Sequence, residues 1–434
     1  MIPGEDKAMM PRVPDRNTSK AKFPARVVAI LFVVCLFGMM TGELWDSTKT
    51  SYGNLRATHK KVPLWKYALG PIATFVKRGE SLFFCRFACT DLCGGLARIC
   101  GKKSIFYTPT DGHLRTSDDI LFGCSGPLRP SPWVKTPMPQ WYIEQIADFK
   151  DYLKSKGIPF LYLLPPGREC LESDSSLGAL EMYMQSSSYA ERQRLTGLFR
   201  DNNINYFDAL EEFVKNSPSP QDWFYRTDNH WKIERVFEMM PALTDEIRDI
   251  LHFDLSDGKT IFNKDLFCET QFPRSFIGSI GRRGGRFFVP PDDLVYYLPT
   301  FDTDFSVSTI NHHGLNVFNR GCFEKALIAT DKVSSNGSFD IYKYRYYIYC
   351  GADYYKQHII NHKIDSGRIL ILKNSMGIPV SVFLSFCFHE TMMIDLRYQF
   401  KDFNLDRLIE QYQPDIVLIV YQLNSRDDKR FRLR

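Results

Sequence analysis

The stretch RILILKNSMGIPVSVFLSFCFHETMMIDL, residues 368–396, decides the fold class. Ile369 to Leu372 form a short, continuously apolar run, the pattern of a strand buried on both faces. NSMGIP (374–379) reads as a turn, VSVFLSFCF (380–388) as a helix despite its β-branched residues, and TMMIDL (391–396) as a second strand. FNLDRLIEQY (403–412) then reads as a helix and DIVLIVYQ (415–422) as a final strand. Strand, turn, helix, strand, helix, strand is the order of a parallel sheet covered by helices. Ligands in such sheets bind beyond the carboxyl ends of the strands, where Ser375 and Asn424 fall.

The alternation continues upstream. WYIEQIADFKDYLKSKG (141–157) has helical spacing, with Ile143, Ile146, Phe149 and Leu153 on one face and Gly157 as its stop. IPFLYLLPP (158–166) is another buried strand, SSSYAERQRLTGLFRDNNI (186–204) a helix, and NYFDAL (205–210) a short strand. A further helix is expected just after Trp231. Residues 106–140 are rich in Pro, Gly, Ser and Thr and read as loops and short strands. Residues 251–320 show no clear periodicity and carry a glycine-rich excursion, GSIGRRGGRFFVPPDD (278–293).

A serine between a strand and a helix is presented at the sheet edge. The helix N-terminus supplies unpaired N–H groups and partial positive charge, which a developing oxyanion requires. Serine is a weak nucleophile without a base. DWFYRTDNHWKIERVF (222–237) offers one in His230. Asp228 lies two residues earlier, and in an extended segment residues two apart point the same way. That places a carboxylate to hold the imidazole and stabilise the imidazolium. The same residues also suit a bland reading, with Asp228 in a turn and His230 on the surface.

FYRTDNHW (224–231) resembles the signature of the DHHW family, whose SGNH-hydrolase-like domains are similar to the alginate-type O-acetyltransferases of bacterial cell envelopes. LKSKGIPFLYLLPPGREC (153–170), FIGSIGRRGGRFFVPPDDLVYYLPTFD (276–302), ILILKNSMGIPVSVFLSFCFHETMMIDLRYQF (369–400) and QPDIVLIVYQLNS (413–425) resemble that family's other blocks in the same order. The resemblance implies an α/β fold, an SGNH-like parallel sheet flanked by helices, behind an N-terminal transmembrane anchor. It makes Asp228 and His230 the Asp-x-His pair and Ser375 the nucleophile, in a permuted order with the serine last. It also places Arg397 at or near the site in a structural or substrate-orienting role. Asn374 stands where the family has Asp, and can brace the turn by hydrogen bonds. Asn229 stands where the signature has a second His. Asn424, past the last strand, could donate to an oxyanion or serve as a cap, and Gly278 could offer a backbone N–H. The implied reaction is serine-dependent acyl transfer, most simply acetyl, to hydroxyls of a cell-surface or secreted polysaccharide. The resemblance implies a membrane-bound O-acyltransferase as donor partner. The chemistry requires no metal or soluble cofactor. An esterase and an inactive glycan-binding assembly protein of the same fold are the alternatives.

Other motifs have bland readings beside the functional one. His358 and His362 are spaced like the histidines of a zinc protease, but Ile359 stands where that motif needs its glutamate. NHHG (311–314) reads as a turn. GRRGG (281–285) lacks the lysine-serine end of a phosphate loop and suits either an anionic glycan or a flexible loop. Trp223, Tyr225 and Trp231 could stack a sugar, or belong to the core.

The whole chain has 434 residues, 44% hydrophobic and 24% charged, with a net charge of +5. That is globular composition and excludes the concentrated basic stripe of a nucleic-acid binder. Residues 1–26 are polar and basic, followed by VVAILFVVCLFGMMTG (27–42), uncharged until Glu43. No small-x-small cleavage site follows, so residues 27–45 read as an uncleaved signal anchor rather than a cleaved signal peptide. The basic flank puts everything after Glu43 outside the cell. The organisation expected is a cytoplasmic segment (1–26), the anchor (27–45), a membrane-proximal connector (46–105) and an extracytoplasmic domain (106–434). Of eleven cysteines, Cys85, Cys89 and Cys93 step by four along one helical face. That spacing is not a zinc ribbon's, which leaves burial or disulfides ahead of a metal site.

Overall fold

The structure is a computed structural model. It describes residues 81–101, 104–106, 120–122, 140–167, 192–216, 222–251 and, with short gaps, 255–422, together with Leu433. The chain divides after Cys89 into two units, and the fold below is that of Thr90–Arg434. The anchor segment 27–45 and Asn424 lie outside the described residues. Among the described residues no helix is long and apolar enough to cross a membrane.

A small antiparallel hairpin joins β1 (Ser104–Phe106) to β2 (Ile120–Phe122). The main sheet has eight strands. They are β3 (Phe160–Leu164), β4 (Tyr206–Asp208), β7 (Phe305–Ile310), β8 (Asn316–Gly321), β9 (Lys356–Asn361), β10 (Arg368–Lys373), β11 (Glu390–Asp395) and β12 (Ile416–Val420). Between β4 and β7, β5 (Phe267–Phe276) and β6 (Asp292–Pro299) form a separate antiparallel pair. The spatial order is β4-β3-β12-β10-β11-β9-β7-β8. The strands from β4 to β11 are parallel to their neighbours. Beyond β11 the pairing turns antiparallel, through β9 and β7 to β8. The expected parallel sheet is therefore corrected to a mixed one. Its antiparallel part comes mostly from the 251–320 region that showed no periodicity.

The burial patterns explain why one half was legible. β3, β12 and all of β10 after Arg368 are buried at every position, as covered parallel strands are. β9 alternates half-buried and buried, and β8 is exposed almost throughout.

Successive residues of each central strand point to opposite faces. Leu161, Leu163, Ile369, Ile371, Leu418 and Val420 enter one core with the helix Ile233–Leu251 and the helix Gly377–Leu384. Tyr162, Leu164, Leu370, Leu372, Val417 and Ile419 enter the other. That second core is closed by the helix Gln140–Ser155, whose Ile143, Ile146, Phe149 and Leu153 are buried as expected, by the helix at 192–201 and by Leu405–Tyr412. Each fully buried aliphatic side chain contributes about 1.5–3 kcal/mol, so the two-sided strands form the most stabilised part of the molecule.

The turn after β10 is tighter than its sequence suggested. The helix begins at Gly377, so NSMGIP already contains its first residues. Pro379 is accommodated because it sits in the first turn, where its missing N–H costs no helical bond. Gly377 allows the helix to start against the strand: a Cβ there would lie 2.6 Å from Lys373 Cβ. At the other end, Gly157 takes φ +72° and ends the Gln140–Ser155 helix.

His358 lies in β9, not on a helix. It and His362 have separate partners, Glu390 Oε2 at 2.8 Å and Ser306 Oγ at 3.0 Å. Among the described cysteines Cys93, Cys100, Cys268, Cys322, Cys350 and Cys387 are free thiols.

Candidate active site

Three chain segments converge at the carboxyl end of β10. The first is the turn itself. Asn374 donates its N–H to Val420 O at 3.2 Å, which ties the turn to the end of β12. Its side-chain Oδ1 accepts from Met376 N at 3.0 Å and its carbonyl from Gly377 N at 3.0 Å. Asn374 thus braces the turn, and Ser375 is presented at its apex.

The second segment is the loop at 224–231. Phe224 and Trp231 form an antiparallel bridge, and Lys232 N donates to Trp223 O at 2.9 Å. Thr227–His230 therefore form the tip of a tight loop. Asp292, at the start of β6, accepts from Arg226 N and Thr227 N, both at 2.6 Å, and from Thr227 Oγ1 at 2.5 Å. Trp231 Nε1 donates to Met376 O at 3.2 Å and fastens this loop to the serine turn.

The third segment, Ile277–Gly281, wraps the same tip. Ile280 N and Gly281 N donate to Thr227 O at 3.1 and 2.8 Å. Gly278 N donates to Thr227 Oγ1 at 2.8 Å, and Ser279 N to Asp228 Oδ2 at 3.2 Å.

Asp228, His230 and Ser375 are brought together by this convergence. His230 Nδ1 lies 2.7 Å from Asp228 Oδ1, and His230 Nε2 lies 2.8 Å from Ser375 Oγ. Asp228 is 1% exposed and His230 6%. Burial pushes the Asp228 carboxyl up, but the adjacent His230 and the N–H groups of Ser279 and Asn229 outweigh it and hold it below 3.8. A carboxylate only accepts, so Nδ1 carries the imidazole proton. Nε2 is then the acceptor for the Ser375 hydroxyl, the tautomer a general base needs.

Residues the sequence reading passed over complete the surroundings. Tyr346 stacks on His230, ring centroids 3.8 Å apart at 13°, and donates its hydroxyl to Ser375 O at 3.1 Å. Tyr347 meets His230 edge-on at 6.2 Å and donates to Asp353 Oδ2 at 2.9 Å. The only signal for them was the density of tyrosine in YKYRYYIYC (342–350).

Arg397 is placed in a buried ion cluster beside the triad. Its Nη2 lies 2.7 Å from Asp395 Oδ2 and 2.9 Å from Asp353 Oδ2. Lys373, the last residue of β10, lies between the same carboxylates at 3.6 and 3.4 Å. Burial raises the Asp353 carboxyl, but Lys373, Arg397, Tyr347 and His230 together leave it lowered. Arg397 thus reaches the triad through Asp353 and Tyr347.

Two expectations need correction. Gly278 is no free oxyanion donor, because its N–H is taken by Thr227. Trp223, Tyr225 and Trp231 form no sugar platform, because they are 3%, 0% and 0% exposed. Among the described residues no acceptor is recorded for the Ser375 N–H.

Comparisons with known proteins agree with this architecture. Residues 130–234 match the family described as SGNH hydrolase-like domain, acetyltransferase AlgX. No curated protein matches the sequence significantly. The solved structure of Bacillus cereus PatB1 superposes with TM-score 0.51 at 20% identity, covering 74% of this chain and 96% of that one. The same protein with a sulfonyl adduct gives 0.51 at 19%, covering 73% and 96%. A DHHW family protein from Eubacterium siraeum gives 0.47 at 13%, covering 71% and 92%. The chain has an α/β fold with a mixed sheet and flanking helices, and its segment 130–234, which includes the Asp228–His230 loop, resembles the SGNH hydrolase-like domain of the AlgX acetyltransferase family.

Proposed function

We propose that this protein is a serine-dependent O-acyltransferase that moves an acyl group, most simply acetyl, onto hydroxyls of a cell-surface or secreted polysaccharide. The observation that carries this is the unbroken Asp228–His230–Ser375 hydrogen-bond chain at 2.7 and 2.8 Å. The description of the matched family as an acetyltransferase supports the choice of reaction.

Ser375 Oγ attacks the carbonyl carbon of the acyl donor while its proton passes to His230 Nε2. Asp228 stabilises the imidazolium so formed. The Ser375 N–H, with no recorded acceptor among the described residues, is the donor assigned to the oxyanion. Collapse expels the donor's leaving group, which takes the proton from His230 and leaves an acyl ester on Ser375. A sugar hydroxyl then gives its proton to His230 and attacks that ester. Ser375 leaves with the proton, and the sugar carries the acyl group.

If water is the acceptor, the same steps describe an esterase. The envelope setting belongs to the proposal as well: residues 27–45 anchor the chain, the α/β domain lies outside the cell, and a membrane-bound O-acyltransferase supplies the donor.

The test is intact-mass spectrometry of the protein after exposure to p-nitrophenyl acetate, with Ser375→Ala and His230→Ala alongside. The expected result is one acetyl group mapped to Ser375 in the wild type and none in either variant. A sulfonyl fluoride should label the same residue, in line with the sulfonyl adduct in the PatB1 structure. Added oligosaccharide then separates transfer from hydrolysis. A folded wild-type protein that neither gains acetyl nor releases nitrophenol would sink the enzymatic reading.

A further inference from the structure

The run 342–347, YKYRYY, is only partly used by the triad. Tyr346 is committed to His230 and Ser375. Tyr344 is not, and it is 41% exposed. The rings form a series from the site to the surface. Tyr347 lies 6.2 Å from His230, and Tyr344 lies 6.1 Å from Tyr347 at an inclination of 49°.

Tyr344 is also held in place. The Arg282 guanidinium sits 3.5 Å from its ring centroid. Arg282 Nε donates to Ile277 O at 3.1 Å, so the cation belongs to the loop that braces Asp228. Burial lowers the Arg282 pKa, and the nearby Tyr344, Asp228 and Asp340 act against that fall. The cation–π attraction offsets part of the cost of burying the guanidinium and restrains the ring. Its position is one ring beyond Tyr347, and Tyr347 is one ring beyond the catalytic histidine.

A ring that is 41% exposed and carries a guanidinium on one face leaves its other face for a ligand with one apolar face and hydroxyls around its rim. A pyranose ring has that shape: its C–H groups lie against the aromatic face while its hydroxyls stay solvated or reach polar side chains. Trp223, Tyr225 and Trp231 cannot serve, being buried. We propose that Tyr344, held on one face by Arg282, is the acceptor subsite on whose opposite face a pyranose ring stacks, so that a hydroxyl of that sugar or its neighbour reaches the acyl ester on Ser375. This rests on the acyl-transfer reading.

The test uses the full chain, p-nitrophenyl acetate as donor, and two acceptors: neutral chitotetraose and an anionic tetra-uronate. Acylation is read from the nitrophenol burst, and transfer from acetylated oligosaccharide by mass spectrometry. Tyr344→Ala should raise the acceptor KM at least tenfold more than it alters the burst rate. Tyr344→Phe and Tyr344→Trp should restore most of the loss, because the ring and not the hydroxyl does the binding. Arg282→Ala should raise the acceptor KM severalfold by freeing the ring. An unchanged acceptor KM in Tyr344→Ala with both oligosaccharides overturns the subsite, as does a Tyr344→Phe as defective as the alanine variant. If the wild type shows no burst, the acyl-transfer reading fails by itself. Calorimetric titration with the two oligosaccharides then decides the platform: weaker binding by Tyr344→Ala supports it, and equal or absent binding overturns it.

Discussion

Gly278 and Asp228 approach so closely that no side chain fits between them. A Cβ on Gly278 would lie 2.3 Å from both Asp228 Cβ and Asp228 Oδ2. The glycine is needed for this contact and not for its N–H, which Thr227 takes. Gly278→Ala must push either the 277–281 loop or the carboxylate away. It should cost about 1–3 kcal/mol of stability, as overpacking does, and slow acylation by at least about tenfold, since a small misplacement of reacting groups is expensive. Denaturant unfolding and the nitrophenol burst check both. Wild-type values in both assays would show that the loop yields freely.

Asp228→Asn keeps the shape and removes the charge. The amide cannot favour the Nδ1–H tautomer as a carboxylate does, and it cannot stabilise the imidazolium. Acylation should fall on the order of 10⁴-fold, the size seen for this change in a serine triad, with the circular dichroism spectrum unchanged. A variant within tenfold of wild type would mean that another group holds the imidazole.

The Asp228 carboxyl also makes acid stability predictable in sign. Its folded pKa is held below the 3.8 of an unperturbed aspartate. The unfolded state therefore binds the proton first as pH falls. The stability that Asp228 contributes is full above about 3.8 and is lost as pH drops through its folded pKa. Between pH 4 and pH 2 the wild type should lose more stability than Asp228→Asn, measured as the difference in urea midpoints. Parallel losses in the two proteins would contradict the assignment.

Glu234 has the opposite sign. It lies in the first turn of the helix Ile233–Leu251, and its Oε2 has no hydrogen-bond partner among the described residues. Burial drives its pKa from 4.5 to about 7, against the pull of its own backbone N–H, Lys232 and Arg235. The native state holds this proton after the unfolded state has released it, so stability declines as pH rises from 4.5 toward 7 and is level above that. Glu234→Gln should stabilise the protein at pH 8 by up to roughly 3 kcal/mol, at about 1.4 kcal/mol for each pH step between the two titrations, and hardly at all at pH 4. Equal effects at both pH values would refute this.

Lys373 is fully buried between Asp353 and Asp395. Lys373→Met leaves two buried carboxylates with Arg397 as the cation between them, and removing one partner from such a cluster costs about 3–5 kcal/mol. Because Asn374 and Ser375 follow directly, the acylation rate should fall with it. A loss below about 1 kcal/mol in chemical denaturation would show that the carboxylates take up protons instead.

The readability of this chain followed the sheet. β3, β10 and β12 were plain because strands covered on both faces leave unbroken apolar runs. The helices Gln140–Ser155 and Leu405–Tyr412 were plain because each buries one face. β5 was not, since a strand with one face in water leaves a weak pattern, and β6 and β7 were missed although they are largely buried. β8, nearly all exposed, leaves none.

By itself the sequence determined the parallel half of the sheet, the turn that presents Ser375 and the Asp-x-His loop, because local patterns of burial and turn chemistry encode them. The tertiary structure decided what lies beside what. Ser375 and His230 are 145 residues apart, and no spacing rule brings them within 2.8 Å. Folding does so by tying Trp231 to Met376 and Asn374 to Val420. It also decided that Gly278 gives room and not a donor, that the early aromatics are core, and that Tyr346 and Tyr347 lie against His230. Each is a matter of contact between distant segments, and side chains carry no mark in the sequence of what they will touch.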